Sequence, residues 1–184
     1  PQESLRGPVL EGWVVRNVNR NVAIIQGRRI GAIEVETGDI VPGVQLAHRG
    51  YQHGIFVAEE IAGLNPVVVE DLNIPKVTFC EPEIASVGYS EPAAKEKFGD
   101  DQIEVTEYNL AGNGKSSILG TSGLIKMVRV KNGPIVGVHG IGGRIGEQIG
   151  EAQLIVNWEA YPEDVAQLIH AHPTQNESLG EAAM

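Results

Sequence analysis

Cysteine is almost absent: Cys80 is the one cysteine in 184 residues. An intrachain disulfide is therefore excluded, a reducing compartment is the simplest setting, and the thiol is expected to be buried and inert. Long apolar runs are also missing. No stretch approaches the roughly 18 residues that would cross a bilayer, and no leader-like segment or basic cluster stands out, so the expectation is a soluble, cytoplasmic protein with no membrane partner. Positive charge is in deficit, with 14 Lys and Arg against 24 Asp and Glu for a net −10. Such a field repels phosphate backbones and anionic surfaces, which argues against nucleic acid as a partner. The length suits one good core, or one domain with part of another.

Glycine, by contrast, is plentiful at 23 residues, well above the usual 7% or so, and implies many tight turns and close approaches. The densest chemistry closes the chain in residues 170–177, which hold two of the five histidines. Pro173 disfavours the α region at His172 and so sets that imidazole on extended backbone. Thr174 and Glu177 have capping-box spacing, the threonine oxygen taking an amide three residues on while the glutamate reaches back, so a helix is expected to start there. A carboxylate beside an imidazole fixes its tautomer and strengthens it as a base. Two readings follow from the residues alone: a His172–Glu177 acid/base pair, or a helix cap beside a solvated loop histidine. A metal site at His170 and His172 lacks acidic or cysteine partners at ligand spacing, so no metal is assigned.

Ahead of this, short apolar runs at 13–15 and 22–25 suit strands, and 27–29 a basic loop. Residues 32–36 alternate as a half-buried strand, followed by Gly38 and Asp39, where a ligand can approach the backbone and a carboxylate can accept hydroxyl hydrogen bonds. Residues 46–62 read as a helix whose buried stripe is Ala47, Gly50, Gly54, Ala58 and Ile61, with Gly63 as its stop. After a linker over 65–73, strands are expected at 77–79, 85–89 and 103–108, with a helix over 91–98 capped by Ser90 and stopped by Gly99. Residues 112–120 read as a flexible polar loop, and 124–130 with 134–141 as a hairpin turning on Asn132-Gly133. Gly140, Gly142 and Gly143 invite a dinucleotide reading, but the third glycine of that motif is replaced by Ile145 and no βαβ continuation follows, so a tight strand-to-helix corner is the simpler account. A helix over 144–158 buries Ile145, Ile149, Ala152 and Val156 and turns Glu147, Gln148 and Glu151 elsewhere, while Ile155 and Trp158 widen its apolar surface toward deep burial or a subunit contact. A second helix begins at Pro162 and is expected to deliver His170 and His172.

Several of these stretches together carry a family likeness. Gly38-Asp39, Leu46-Ala47-His48, Ile74-Pro75, Cys80-Glu81-Pro82-Glu83-Ile84-Ala85-Ser86-Val87-Gly88 and His170-Ala171-His172-Pro173-Thr174 with Glu177 resemble the C-terminal part of dihydrolipoyl dehydrogenases, of actinobacterial type, among the flavoprotein disulfide reductases. The resemblance runs from residue 31 to the end. It implies an α/β chain: an unassigned remnant over 1–30, the end of an FAD-binding domain over 31–72, and an α+β interface (dimerisation) domain over 73–184, an antiparallel sheet flanked by helices. It further implies that Asp39 bonds the flavin's ribityl chain and that the backbone of Leu46, Ala47 and His48 lies under the isoalloxazine. His172 becomes the base for dihydrolipoamide, oriented by Glu177 and facing the flavin and redox disulfide of the other subunit, with His170 a packing residue. The implied cofactors are FAD and NAD, and the implied partners are a second copy and the lipoyl domain of a 2-oxo acid dehydrogenase complex.

The family's two Gly-x-Gly-x-x-Gly folds and its Cys-x4-Cys pair are missing from these residues, and the family has longer passages near 27–31 and 36–38. The expectation is therefore a fragment, or spliced pieces, of a longer enzyme. Related reductases of the glutathione or mercuric type, a non-catalytic dimerisation fragment without flavin, and a hydrolase built on Cys80 are the alternatives, the last without any local signature around the cysteine.

Overall fold

The structure, a computed structural model, describes residues 39 and 41–184, together with the backbone of residues 14–18 and 22–26. The expected strand at 32–36, the basic loop at 27–29, and Trp13 and Gly38 lie outside the described residues. The chain divides into two units after Asp71.

In the first unit, strands β1 (Val14–Val18) and β2 (Val22–Gln26) pair antiparallel, Val14 opposite Gln26. Helix α1 (Ala47–Ile61) follows, and Gly63, at φ 75°, stands just beyond its end. Its buried face is not the expected stripe of small residues. Arg49, His53 and Phe56 turn inward, whereas Ala47, Gly54, Ala58 and Ile61 are exposed. The reason is pairing: Arg49 Nε donates to Asp71 Oδ1 at 2.8 Å and its Nη2 to the Pro42 carbonyl at 2.8 Å. A guanidinium satisfied in this way can take an inner position that apolar periodicity assigns to alanine and glycine. Phe56 packs with Val57 and Val69.

The second unit is built on a five-stranded antiparallel sheet of order β3-β4-β7-β6-β5, whose strands are β3 (Lys76–Thr78), β4 (Glu83–Gly88), β5 (Ile103–Asn109), β6 (Gly123–Val130) and β7 (Ile135–Gly142). Alternation along β6 aims Ile125 and Met127 into the core and Lys126 to the other face. There Glu91, from helix α2 (Glu91–Phe98), meets Lys126 Nζ at 2.7 Å. Ser90 Oγ caps α2 by accepting the Ala93 amide, and Gly99 ends it at φ 103°. The β6–β7 turn places Asn132 at φ 56°, a left-handed conformation that asparagine tolerates.

Helix α4 (Ile145–Asn157) covers the core face, burying Ile145, Ile149, Ala152, Ile155 and Val156. It also buries Gln148, which the periodicity had placed outside; Ser178 Oγ lies 3.4 Å from Gln148 Oε1. The glycine-rich corner before α4 serves packing. A Cβ at Gly140 would stand 2.6 Å from the Ile145 side chain, so the bare backbone of β7 lets the helix lie close. Helix α5 (Pro162–Ala166) is only five residues long, and it therefore does not deliver the two histidines. Residues 167–176 run as a connecting loop into α6 (Glu177–Ala183), whose Leu179 and Ala182 join the same core.

A further departure falls at 112–120, which contains helix α3 (Gly114–Leu119) rather than a flexible loop. Asn113 Oδ1 accepts the Ser116 amide at 2.9 Å at its start, and Gly120 closes it at φ 64°. Six helical residues suffice because both ends are capped.

Candidate active site

The loop between α5 and α6 carries His172 on a bend, just ahead of a cis peptide bond to Pro173. Its side chain is 78% exposed, and its Nδ1 lies 2.8 Å from Glu177 Oε1. The other carboxylate oxygen, Oε2, accepts the Thr174 amide at 2.7 Å. That backbone bond, and after it the bond to His172, holds the Glu177 carboxyl below its ordinary value, so an anion faces the ring. With a carboxylate accepting at Nδ1, the neutral ring carries its proton there and presents the lone pair of Nε2 outward. Such a group can take a proton from a thiol or hydroxyl and hold the resulting imidazolium against the carboxylate.

Only half of the expected capping box forms. Glu177 reaches back to the Thr174 amide, but Thr174 Oγ1 donates to the Ala171 carbonyl at 2.7 Å, and the helix starts later, with Asn176 at its N-cap. The threonine hydroxyl closes its own turn instead, a local backbone bond that competes with capping.

His170 packs its ring on Gly180, where a Cβ would stand 3.3 Å away. It also pairs with Glu151 across 2.7 Å, a partner that sequence periodicity placed elsewhere on α4. Further anchors escaped the sequence reading. Asn113 Nδ2 donates to the Thr174 carbonyl at 2.9 Å, and Gln175 Nε2 to the Gly143 carbonyl at 2.9 Å. The signal for Asn113 was present, since an asparagine before Gly-Lys-Ser-Ser is an N-cap pattern.

The other sequence-selected residues lie in the first unit. Asp39 is exposed in a 3₁₀ turn. Leu46 is extended at the N-cap of α1 and contributes no side-chain cap, Ala47 opens the helix, and His48 is exposed. A 15-residue helix whose first turn has no acidic residue and no capping side chain offers its positive end to an electron-rich group. That end of α1 has the chemistry to face a flavin ring. Cys80 is exposed rather than buried, with its Sγ 3.0 Å from the Pro82 carbonyl. As a single thiol it does not fit a redox pair. Among the described residues, no group of three or more His, Cys, Asp or Glu could hold a metal ion.

Comparison with known proteins gives the family and the fold. Residues 74–183 match the dimerisation domain of pyridine nucleotide-disulphide oxidoreductases. The dihydrolipoyl dehydrogenase of Corynebacterium glutamicum is 34% identical over 191 residues, covering 96% of this chain and 40% of that protein. That of Geobacillus stearothermophilus is 43% identical over 148 residues, covering 79% of this chain and 31% of the relative. The chain thus spans about two-fifths or less of these relatives' length. Among solved structures, Mycobacterium tuberculosis LpdA superposes with a TM-score of 0.74 at 16% identity, covering 92% of this chain and 46% of that one. The flavoprotein disulfide reductase RclA of Escherichia coli gives 0.71 at 22%, covering 79% and 33%, and both support the fold alone. By the family match over 74–183, supported by these relatives, the chain belongs to the pyridine nucleotide-disulphide oxidoreductases and carries their dimerisation domain.

Proposed function

We propose that the chain is part of an FAD- and NAD-dependent enzyme that reoxidises protein-bound dihydrolipoamide, and that it supplies the acid/base pair and the subunit interface. The observation that carries this reading is the His172–Glu177 pair at 2.8 Å on a side chain that is 78% exposed. His172 Nε2 takes the proton of the substrate thiol, and Glu177 stabilises the imidazolium and holds the ring's orientation. Asp39, with the backbone at Leu46, Ala47 and His48, would hold part of the flavin. FAD, when bound, would supply the electron acceptor for the thiols, with NAD as the final oxidant. Residues outside this chain supply the redox cysteines and the nicotinamide site.

The remaining assignments go with this reading: 1–30 as a remnant of upstream domains, 31–72 as the end of the FAD-binding domain, and 73–184 as the interface domain. A homodimer is the working form, with His172 acting at the flavin and disulfide of the partner subunit. Exposed Leu154, Trp158 and Ile169 in the second unit support an interface, Ile169 being fully exposed three residues before His172. A lipoyl domain is the substrate carrier and the cytoplasm the setting. Among the described residues no helix is long and apolar enough to cross a membrane.

The test is made on the full-length enzyme. A yellow sample with flavin absorption that turns over dihydrolipoamide with NAD, and not glutathione disulfide or mercuric ion, supports the reading. Preference for either of the latter substrates moves it to a related reductase, and a colourless, inactive dimer leaves a dimerisation module.

A further inference from the structure

We propose that Glu151 is a positioning residue for His172, a carboxylate clamp on α4 that ties down both flanks of the loop bearing that histidine. The inference rests on the reading of His172 as the base. Its Oε1 lies 2.7 Å from His170 Nε2, two residues before His172, and its Oε2 accepts from Asn176 Nδ2 at 2.6 Å, four residues after it. One carboxylate thus spans the bend from outside. It is rooted in a helix whose adjoining Ile149 and Ala152 sit in the core.

The exposure of His172 makes such a clamp necessary. With 78% of its side chain in solvent, the ring is not fixed by packing, and its bond to Glu177 orients it only if the bend carrying both residues holds one shape. Asn113 and Gln175 hold the chain after His172. The His170–Glu151 bond holds it before. The same side chains close the clamp against α6: His170 is only 13% exposed, and its ring lies where a Cβ on Gly180 would be 3.3 Å away, so α6 meets the ring with bare backbone. Acceptor oxygens on both sides of one carboxylate make Glu151 the shared element: its loss frees the flank before His172 and loosens the one after it, which Asn113 and Gln175 still hold in part.

The test uses the flavin-loaded full-length enzyme. Glu151→Ala is expected to lower kcat for dihydrolipoamide about 10- to 100-fold, the scale of a small misplacement of a catalytic group, with little change in KM. Glu151→Gln, which keeps one acceptor oxygen, falls between it and the parent. In a His172→Gln background, Glu151→Ala should cost nothing further, because groups that act as one unit do not add. Nitrogen-15 spectra of histidine-labelled protein should show His172 as a single Nδ1-protonated tautomer in the parent and as a tautomer mixture in Glu151→Ala. Unchanged turnover in Glu151→Ala, an equal loss on the His172→Gln background, or an unchanged His172 tautomer would each overturn the clamp. Should Glu151→Ala fail to fold, Glu151→Gln carries both measurements. Turnover retained by His172→Gln alone would instead refute the base assignment, and the tautomer signal would then decide the clamp by itself.

Discussion

At the scale of single residues, the site turns on what Glu177 does with its two oxygens. One holds the Thr174 amide and the other the His172 ring, and both bonds favour the charged form, so the carboxyl is held below its ordinary value. A folded-state value lower than the unfolded one means that the group's contribution to order is complete above the ordinary carboxylate range. It is lost as the pH falls through the folded value. Protection of the Thr174 amide from hydrogen exchange should therefore persist at about pH 5 and fall away only once the pH drops below the ordinary glutamate value of about 4.3. Glu177→Gln should lower that protection at neutral pH and remove its acid dependence, whereas acid-dependent protection unchanged in the variant would refute the role given to this carboxylate. The spacing of Thr174 and Glu177 made their bond legible in the sequence. Glu151 was not legible, because a glutamate on a helix that shows acids at 147 and 151 reads as a solvated face until the partner histidine 19 residues on is brought to it.

Among the elements, those whose start and stop lay in local chemistry were readable: α2 between Ser90 and Gly99, the β6–β7 hairpin on Asn132-Gly133, and α4 after the glycine corner. Elements whose definition came from distant partners were not. The inner face of α1 follows the pairing of Arg49 with Asp71, 22 residues away, which no periodicity reports. Helix α5 stops at Ala166 although nothing in Gln167-Leu168-Ile169 forbids a helix, so that local propensity alone would carry it further. Helix α3 was within reach through Asn113, a residue that also holds the loop bearing His172. Asn113 is 3% exposed, and its amide serves both the Ser116 N–H and the Thr174 carbonyl. Asn113→Ala removes a cap, worth about 0.5–2 kcal/mol, and strips a polar group of its partner, worth about 1–3 kcal/mol. Chemical denaturation should report a loss of about 2–3 kcal/mol. A loss within about 0.5 kcal/mol, the range of an ordinary surface change, would show that α3 does not depend on this cap.

For the whole molecule, composition excluded more than it identified: acidity argued against nucleic acid, and one cysteine excluded an internal redox disulfide. Single strands and helices α2 and α4 were foreseen because each carried its own alternation, turn or cap, and their union in an antiparallel sheet was implied by the family resemblance; the strand order β3-β4-β7-β6-β5 depends on pairings across up to 59 residues, Glu83 with Gly142 for one. The site was legible in proportion to its locality, His172 and Glu177 lying five residues apart and their supports at the start of α3, on α4 and just past β7 lying 19 to 61 residues away. Since the chain spans 40% and 31% of the relatives described above, the proposed reaction is tested on a full-length enzyme, and the decisive measurement belongs there. That measurement is the turnover of dihydrolipoamide with NAD by the flavin-loaded His172→Gln enzyme, compared with its parent. The account predicts a kcat lower by about two to four orders of magnitude, the usual cost of a lost general base, with the flavin spectrum and dimer intact. Near-normal turnover would contradict it.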